Sequence, residues 1–174
     1  MSSLSERIAA HAAAITPDAI RIRRDLHRHP EVSWSERRTT YRIAEALAES
    51  GLEPKVRDDL VGLTVEVGDG PPLVGFRADI DALPIHEATG LPYRSQIDGV
   101  MHACGHDAHA AIAIGIARTL AFLDDLPGTA RIIFQPAAEE LPSGAAQLVA
   151  EGVHKDLQSL IAFHVDPTIP AGVV

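Results

Sequence analysis

The sequence predicts an α/β domain built on a mixed but mostly parallel sheet with helices on both faces. Three observations carry that prediction. Apolar runs suited to strands alternate with helical segments from about residue 73 onward. The segment Ala108 to Leu123 is apolar almost all round, as a helix buried against a sheet is. Thr129 to Phe134 is a short β-branched run of the kind that fills a central strand. With 174 residues, 46% of them hydrophobic, the chain holds enough apolar material for the core of one sizeable domain. The sequence shows no internal repeat and no low-complexity linker.

Thr16, Pro17 and Asp18 read as a helix start, with a capping hydroxyl, a proline at the first helical position and an early carboxylate for the helix dipole. That helix is expected to reach about Arg28, because Pro30 drives the residue before it out of the helical region. Ser33 and Glu36 have the spacing of a capping box. Ile43, Ala44, Leu47 and Ala48 then form an apolar face that ends where Gly51 can take a left-handed cap, which predicts a second helix over about 36–50. Leu60 to Val67 and Leu73 to Phe76, separated by Gly68-Asp69-Gly70-Pro71-Pro72, read as strand, turn and strand, a hairpin forming the antiparallel portion of the sheet. Gly144 to Gly152 predicts a further helix and Leu160 to Val165 a further strand.

The formal charge of −9 opposes a nucleic-acid or anionic-membrane partner, since phosphate neutralisation needs clustered Lys and Arg. Arg21, Arg23 and Arg24 form one short basic run, which reads as a solvated helix face. No apolar stretch approaches the roughly 20 residues that span a bilayer. Glu6, Arg7 and His11 interrupt what a signal core would require, so a cytoplasmic protein is expected. The single cysteine cannot form an internal disulfide, which agrees with a reducing compartment.

Sites in such sheets form at the carboxyl ends of strands, so the polar residues that follow the apolar runs are the candidates for chemistry. These are Asp79 and Asp81, then Gln135 to Glu140, then His164; the stretch before the buried helix joins them. There, His102, Cys104, His106 and His109 crowd around Gly105, and cysteine with histidine is the donor set of zinc and its first-row neighbours. A structural zinc site would need a second paired cluster, which a chain with one cysteine does not offer. Glu139 and Glu140 leave the strand end as adjacent carboxylates; one can ligate a metal while the other holds a proton, although an isolated Glu-Glu is ordinarily a solvated loop pair. His164 alone would be read as structural. A cysteine nucleophile paired with His106 or His109 is a further reading of the same residues.

Four segments in order, Arg24-Asp25-Leu26-His27-Arg28-His29-Pro30-Glu31, Phe76-Arg77-Ala78-Asp79-Ile80-Asp81-Ala82-Leu83-Pro84, His102-Ala103-Cys104-Gly105-His106-Asp107 and Phe134-Gln135-Pro136-Ala137, resemble the signatures of the metal-dependent N-acyl amino acid amidohydrolases. That family includes hippurate hydrolases, aminoacylases and auxin-conjugate hydrolases. The resemblance implies a zinc-exopeptidase-like catalytic domain holding two divalent metal ions, manganese, zinc, cobalt or nickel. Cys104 would bridge them, His106, Glu140 and His164 would ligate, and Glu139 would act as general base. Asp79, Asp107 and His109 would orient ligands from behind. The implied substrate is an N-acyl amino acid. The family reads Gln-Pro-Ala-Glu-Glu, whereas Ala137-Ala138 precede the glutamates here; an insertion that keeps the pair is favoured, and the slipped register would put Ala138 at the place of the base. Family members extend well beyond this length, with a lid domain that promotes homodimers and a return segment that supplies a last histidine. Residues 1–174 are therefore expected to be an incomplete catalytic domain without lid or return segment: a truncated enzyme, a metal-binding fragment of one or an unusually short homologue.

Overall fold

A computed structural model describes residues 3–170 and 172. In chain order these form α1 (Leu4–Arg28), α2 (Arg37–Ala48), β1 (Lys55–Val56), β2 (Leu63–Val67), β3 (Pro72–Asp79), α3 (His106–Ala121), β4 (Thr129–Gln135), α4 (Gly144–Ala150) and β5 (Ser159–Ala162). Ala171, Val173 and Val174, where the resemblance puts the start of the lid, lie outside the described residues.

The first helix begins at Leu4, not at Thr16. Ser3 accepts from the Glu6 N–H while the Glu6 carboxylate accepts from the Ser3 N–H, a reciprocal cap upstream of the expected start. Pro17 therefore stands inside the helix, where it cannot donate to the preceding turn. The Thr16 hydroxyl donates to the Ala12 carbonyl at 2.7 Å in the same turn. The alanine-rich stretch before Pro17 and packing against α3 outweigh the lost bond.

The box expected between Ser33 and Glu36 does not form. The Glu31 carboxylate caps α2 instead, accepting the Arg38 N–H at 3.1 Å and the Thr39 N–H at 2.7 Å. Ser33 and Glu36 turn inward, towards the sheet. Gly51 takes the expected left-handed conformation (φ 77°), and the Leu52 N–H closes on the Leu47 carbonyl.

The strands lie in the order β1-β2-β4-β3-β5. The hairpin expected between β2 and β3 is absent because β4 enters between them, antiparallel to β2 and parallel to β3. The reason is burial: apart from Arg131, every residue of β4 is buried, and a strand of that kind needs a neighbour on each side. β5 extends the parallel part beyond β3 as a short exposed edge.

The β3–α3–β4 and β4–α4–β5 crossovers run in opposite directions across the sheet, so right-handed connections put α3 and α4 on opposite faces. Helices thus cover both faces, as expected. On the α3 side the core joins Ile22 and Leu26 of α1, Ile43 and Leu47 of α2 and Ile114 of α3 to Ile132 and Phe134 of β4. Among the described residues, no helix is long and apolar enough to cross a membrane.

Because Glu31 satisfies two orphan amides of α2, Glu31→Ala is expected to cost about 1 kcal/mol of unfolding free energy. Urea denaturation reads this directly, and an unchanged midpoint would assign the cap elsewhere.

Candidate metal centre

The parallel strands β3, β4 and β5 present their carboxyl ends on one side. Asp79 pairs with Gln135 and Arg77 with Ala162, so continuing both strands by two residues brings His164 level with Asp79. Glu139 follows shortly after β4. The fourth contribution is the start of α3, where Gly105 caps the helix in the left-handed conformation (φ 85°). A Cβ at Gly105 would run into the Val165 side chain, so glycine there lets the Cys104–His106 turn close against the segment after β5.

Cys104 Sγ lies 3.2 Å from His164 Nε2, and Cys104, His106 and His164 each offer a donor atom within 4.8 Å of the others. His106 Nδ1 donates to Asp81 Oδ1 at 3.0 Å and His164 Nδ1 donates to the Val165 carbonyl at 2.7 Å. In their neutral forms both rings therefore present an Nε2 lone pair to the group they share with the sulfur. One thiol and two imidazoles with free lone pairs fit zinc and its first-row neighbours. Glu139 completes the cluster: its Oε1 is 3.5 Å from His106 Nε2, and its carboxylate sits beside the Cys104 thiol.

The electrostatics favour a cation. Burial pushes His106 towards its neutral form, but Asp81, Asp79 and Glu139 outweigh it and hold its proton more tightly than usual. Burial and the neighbouring Glu139 push the Cys104 thiol up to about 12. Cys104 is thus a thiol until a bound cation compensates the thiolate charge.

Of the other expected site residues, Asp79 and His109 lie behind the cluster. Burial works against the charge of Asp79, but the hydrogen bond from His109, with His106 and Arg77 nearby, lowers its carboxyl to about 2. His109 Nδ1 donates to Asp79 Oδ1 at 2.5 Å, while its Nε2 accepts the Val165 N–H at 3.0 Å. With both nitrogens engaged, His109 braces the chain next to His164. Asp107 faces the other way and pairs with Arg23 Nε at 2.7 Å and His27 Nδ1 at 2.8 Å. Among the described residues His102 is buried without a partner on either nitrogen, and burial lowers it to about 4. Glu140 is not brought to the group; it is exposed, with no hydrogen bond or ion pair among the described residues.

Asp81, singled out from the sequence only by its place after an apolar run, and Ser33 and Glu36, read there as a helix cap, support the cluster. Asp81 orients His106, accepts the Ser33 hydroxyl at 2.7 Å and accepts the Glu139 N–H at 3.0 Å. Glu36 accepts the Ala137 N–H at 2.7 Å. For Asp81 the available signal is its spacing from Asp79, which puts both on one side of an extended segment. For Ser33 and Glu36 the local signal points to a helix cap and so away from the site.

Glu36 is fully buried, and burial raises its carboxyl from 4.5 to about 7. A group that binds its proton more tightly when folded stabilises the fold below its unfolded value, and that contribution disappears as pH rises through the folded value. The metal-free chain is therefore expected to lose stability between pH 4.5 and about 7. Glu36→Gln should flatten that part of the curve in denaturation experiments at stepped pH. Equal slopes in both proteins would contradict the assignment.

The family model for Peptidase family M20/M25/M40 matches residues 75–174. An N-acetylcysteine deacetylase of Bacillus subtilis is 43% identical over 160 residues, covering 89% of this chain and 42% of that protein. IAA-amino acid hydrolase ILR1-like 6 of Arabidopsis thaliana is 38% identical over 156 residues, with 88% of this chain and 33% of the plant protein covered. The crystal structure of a Bacillus subtilis protein described as a dinuclear metal binding peptidase of the M20 family matches with a TM-score of 0.84 at 42% identity, covering 91% of this chain and 45% of that one. The chain spans less than half the length of each of these relatives. The ordered signatures, the sheet with its donors gathered at the parallel strand ends, and a family match over more than half of the chain agree: this chain belongs to Peptidase family M20/M25/M40.

Proposed function

We propose that this chain forms the metal-binding part of an amidohydrolase that cleaves the acyl group from N-acyl amino acids. The observation that carries the reading is the convergence of two imidazole lone pairs and the Glu139 carboxylate on the Cys104 sulfur. The relatives' names support the substrate class, since a deacetylase of N-acetylcysteine and a hydrolase of IAA-amino acids are each named for an amino acid conjugate.

Cys104, His106 and His164 would hold divalent ions, two by analogy with the M20 relative described as dinuclear. Bound there, such ions supply polarisation of the amide carbonyl and a water acidified towards neutrality. The chain's own residues do the rest. Asp81 keeps His106 in the tautomer that presents Nε2. His109 braces the backbone beside His164. Glu139, with 28% of its side chain open to solvent and Oε1 facing the cluster, takes the proton of the attacking water and returns it to the departing amine.

That Glu139 faces His106 while Glu140 has no such contact among the described residues favours a second reading. If Glu139 is the carboxylate ligand, the slipped register holds, Ala138 stands at the place of the base and the chain binds metal without turnover.

Metal analysis and turnover of an N-acyl amino acid with added manganese or zinc test both. Cys104→Ala and His106→Ala are expected to abolish metal content and activity together. Glu139→Gln should keep the metal and lower turnover by roughly 10²–10⁴-fold, the usual contribution of a general base. Loss of metal in Glu139→Gln would select the second reading, and an unaltered chain that binds no metal would sink both.

A further inference from the structure

The segment 136–140 carries Glu139 from the end of β4 into the cluster. Two side chains of the α1–α2 connection hold it from below. Glu36 Oε1 accepts the Ala137 N–H at 2.7 Å. Ser33 Oγ donates to Asp81 Oδ2 at 2.7 Å, and the same oxygen accepts the Glu139 N–H at 3.0 Å. Between these anchors Ala137 has φ 46°, in the left-handed region, and its carbonyl accepts the Gly144 N–H at 2.9 Å. A residue with a Cβ persists in that conformation where its surroundings over-determine it.

Packing does not explain Glu36. Its carboxyl is fully buried, Oε2 has no partner among the described residues, and the acidic Asp81 and Glu31 stand near it. Taking a carboxyl group out of water and leaving one oxygen unbonded costs more than a single hydrogen bond returns. What that bond does achieve is local: it fixes the residue that directs the chain towards Glu139.

We propose that Ser33 and Glu36 are positioning residues of the metal centre, which clamp the segment after β4 at Ala137 and Glu139 and so aim the Glu139 carboxylate at Cys104 and His106. The proposal rests on the reading of that cluster as a metal site. Neither residue supplies a donor to the cluster: Glu36 acts on the Ala137 N–H directly, and Ser33 acts through the Asp81 carboxylate that accepts the Glu139 N–H.

The test uses the full chain with Glu36→Met, Glu36→Gln and Ser33→Ala, and reads two quantities. The first is amide hydrogen exchange over residues 137–144 in metal-free protein. The second is the affinity for manganese or zinc by calorimetric titration. Glu36→Met, which removes the acceptor, should speed exchange at Ala137 and Glu139 and weaken metal binding by roughly 10–100-fold, the effect of losing a residue that orients a ligand. Glu36→Gln retains an oxygen that can accept the same N–H and should stay close to the parent in both readings. Ser33→Ala removes one hydroxyl, folds if Glu36→Met does not, and should loosen Glu139 and weaken metal binding in the same direction. Metal affinity and local exchange that stay at the parent's values in Ser33→Ala and in folded Glu36→Met would overturn the proposal, as would a general loss of stability with metal affinity intact. If the unaltered chain binds neither metal, the reading of the cluster fails, and exchange at Ala137 and Glu139 still decides whether the clamp exists.

Discussion

The carboxylate of Asp81 is where the separate parts of the site become one object. It is 1% exposed and accepts from the Ser33 hydroxyl, the Glu139 amide and His106 Nδ1, so the α1–α2 connection, the segment after β4 and the start of α3 all end on it. Burial alone would push its proton affinity up; these donors hold its carboxyl below the ordinary carboxylate range instead. An ionised acceptor suits that place because it makes several charge-assisted bonds at once.

The strand order gives Asp81 something to organise. Because β4 runs between β2 and β3, three parallel strands end side by side, and the polar residues beyond β3, β4 and β5 meet. The antiparallel strands β1 and β2 complete the sheet on the far side and contribute no donor to the cluster.

Helix geometry divides the dense motif at 102–109. His106 and His109 lie three residues apart on one face of α3, and that face looks onto Asp79 and Asp81 at the end of β3. Asp107, one residue on, points to the neighbouring face and meets Arg23 and His27 of α1, with Glu87 on the other nitrogen of His27. One polar run thus supplies two functions: a donor group at the strand ends, and a buried ion-pair network that seats α3 against α1 and the segment carrying Glu87.

The α/β class, the apolar α3, the buried β4 and the residue types Cys104, His106 and His164 at element ends are legible along the chain. Those follow from periodicity and from the chemistry of soft donors, both of which are local. Tertiary structure alone decided the insertion of β4 between β2 and β3, which depends on competition among strands for burial. It also decided the placement of Glu139 beside Cys104 and His106, in a segment whose Ala137 and Glu139 amides are held by Glu36 and Asp81. The same holds for Ser33 and Glu36 themselves. Their spacing is that of a helix cap, yet Glu31 already satisfies the amides of α2, which leaves their polar groups to bond across the sequence to residues dozens of positions away.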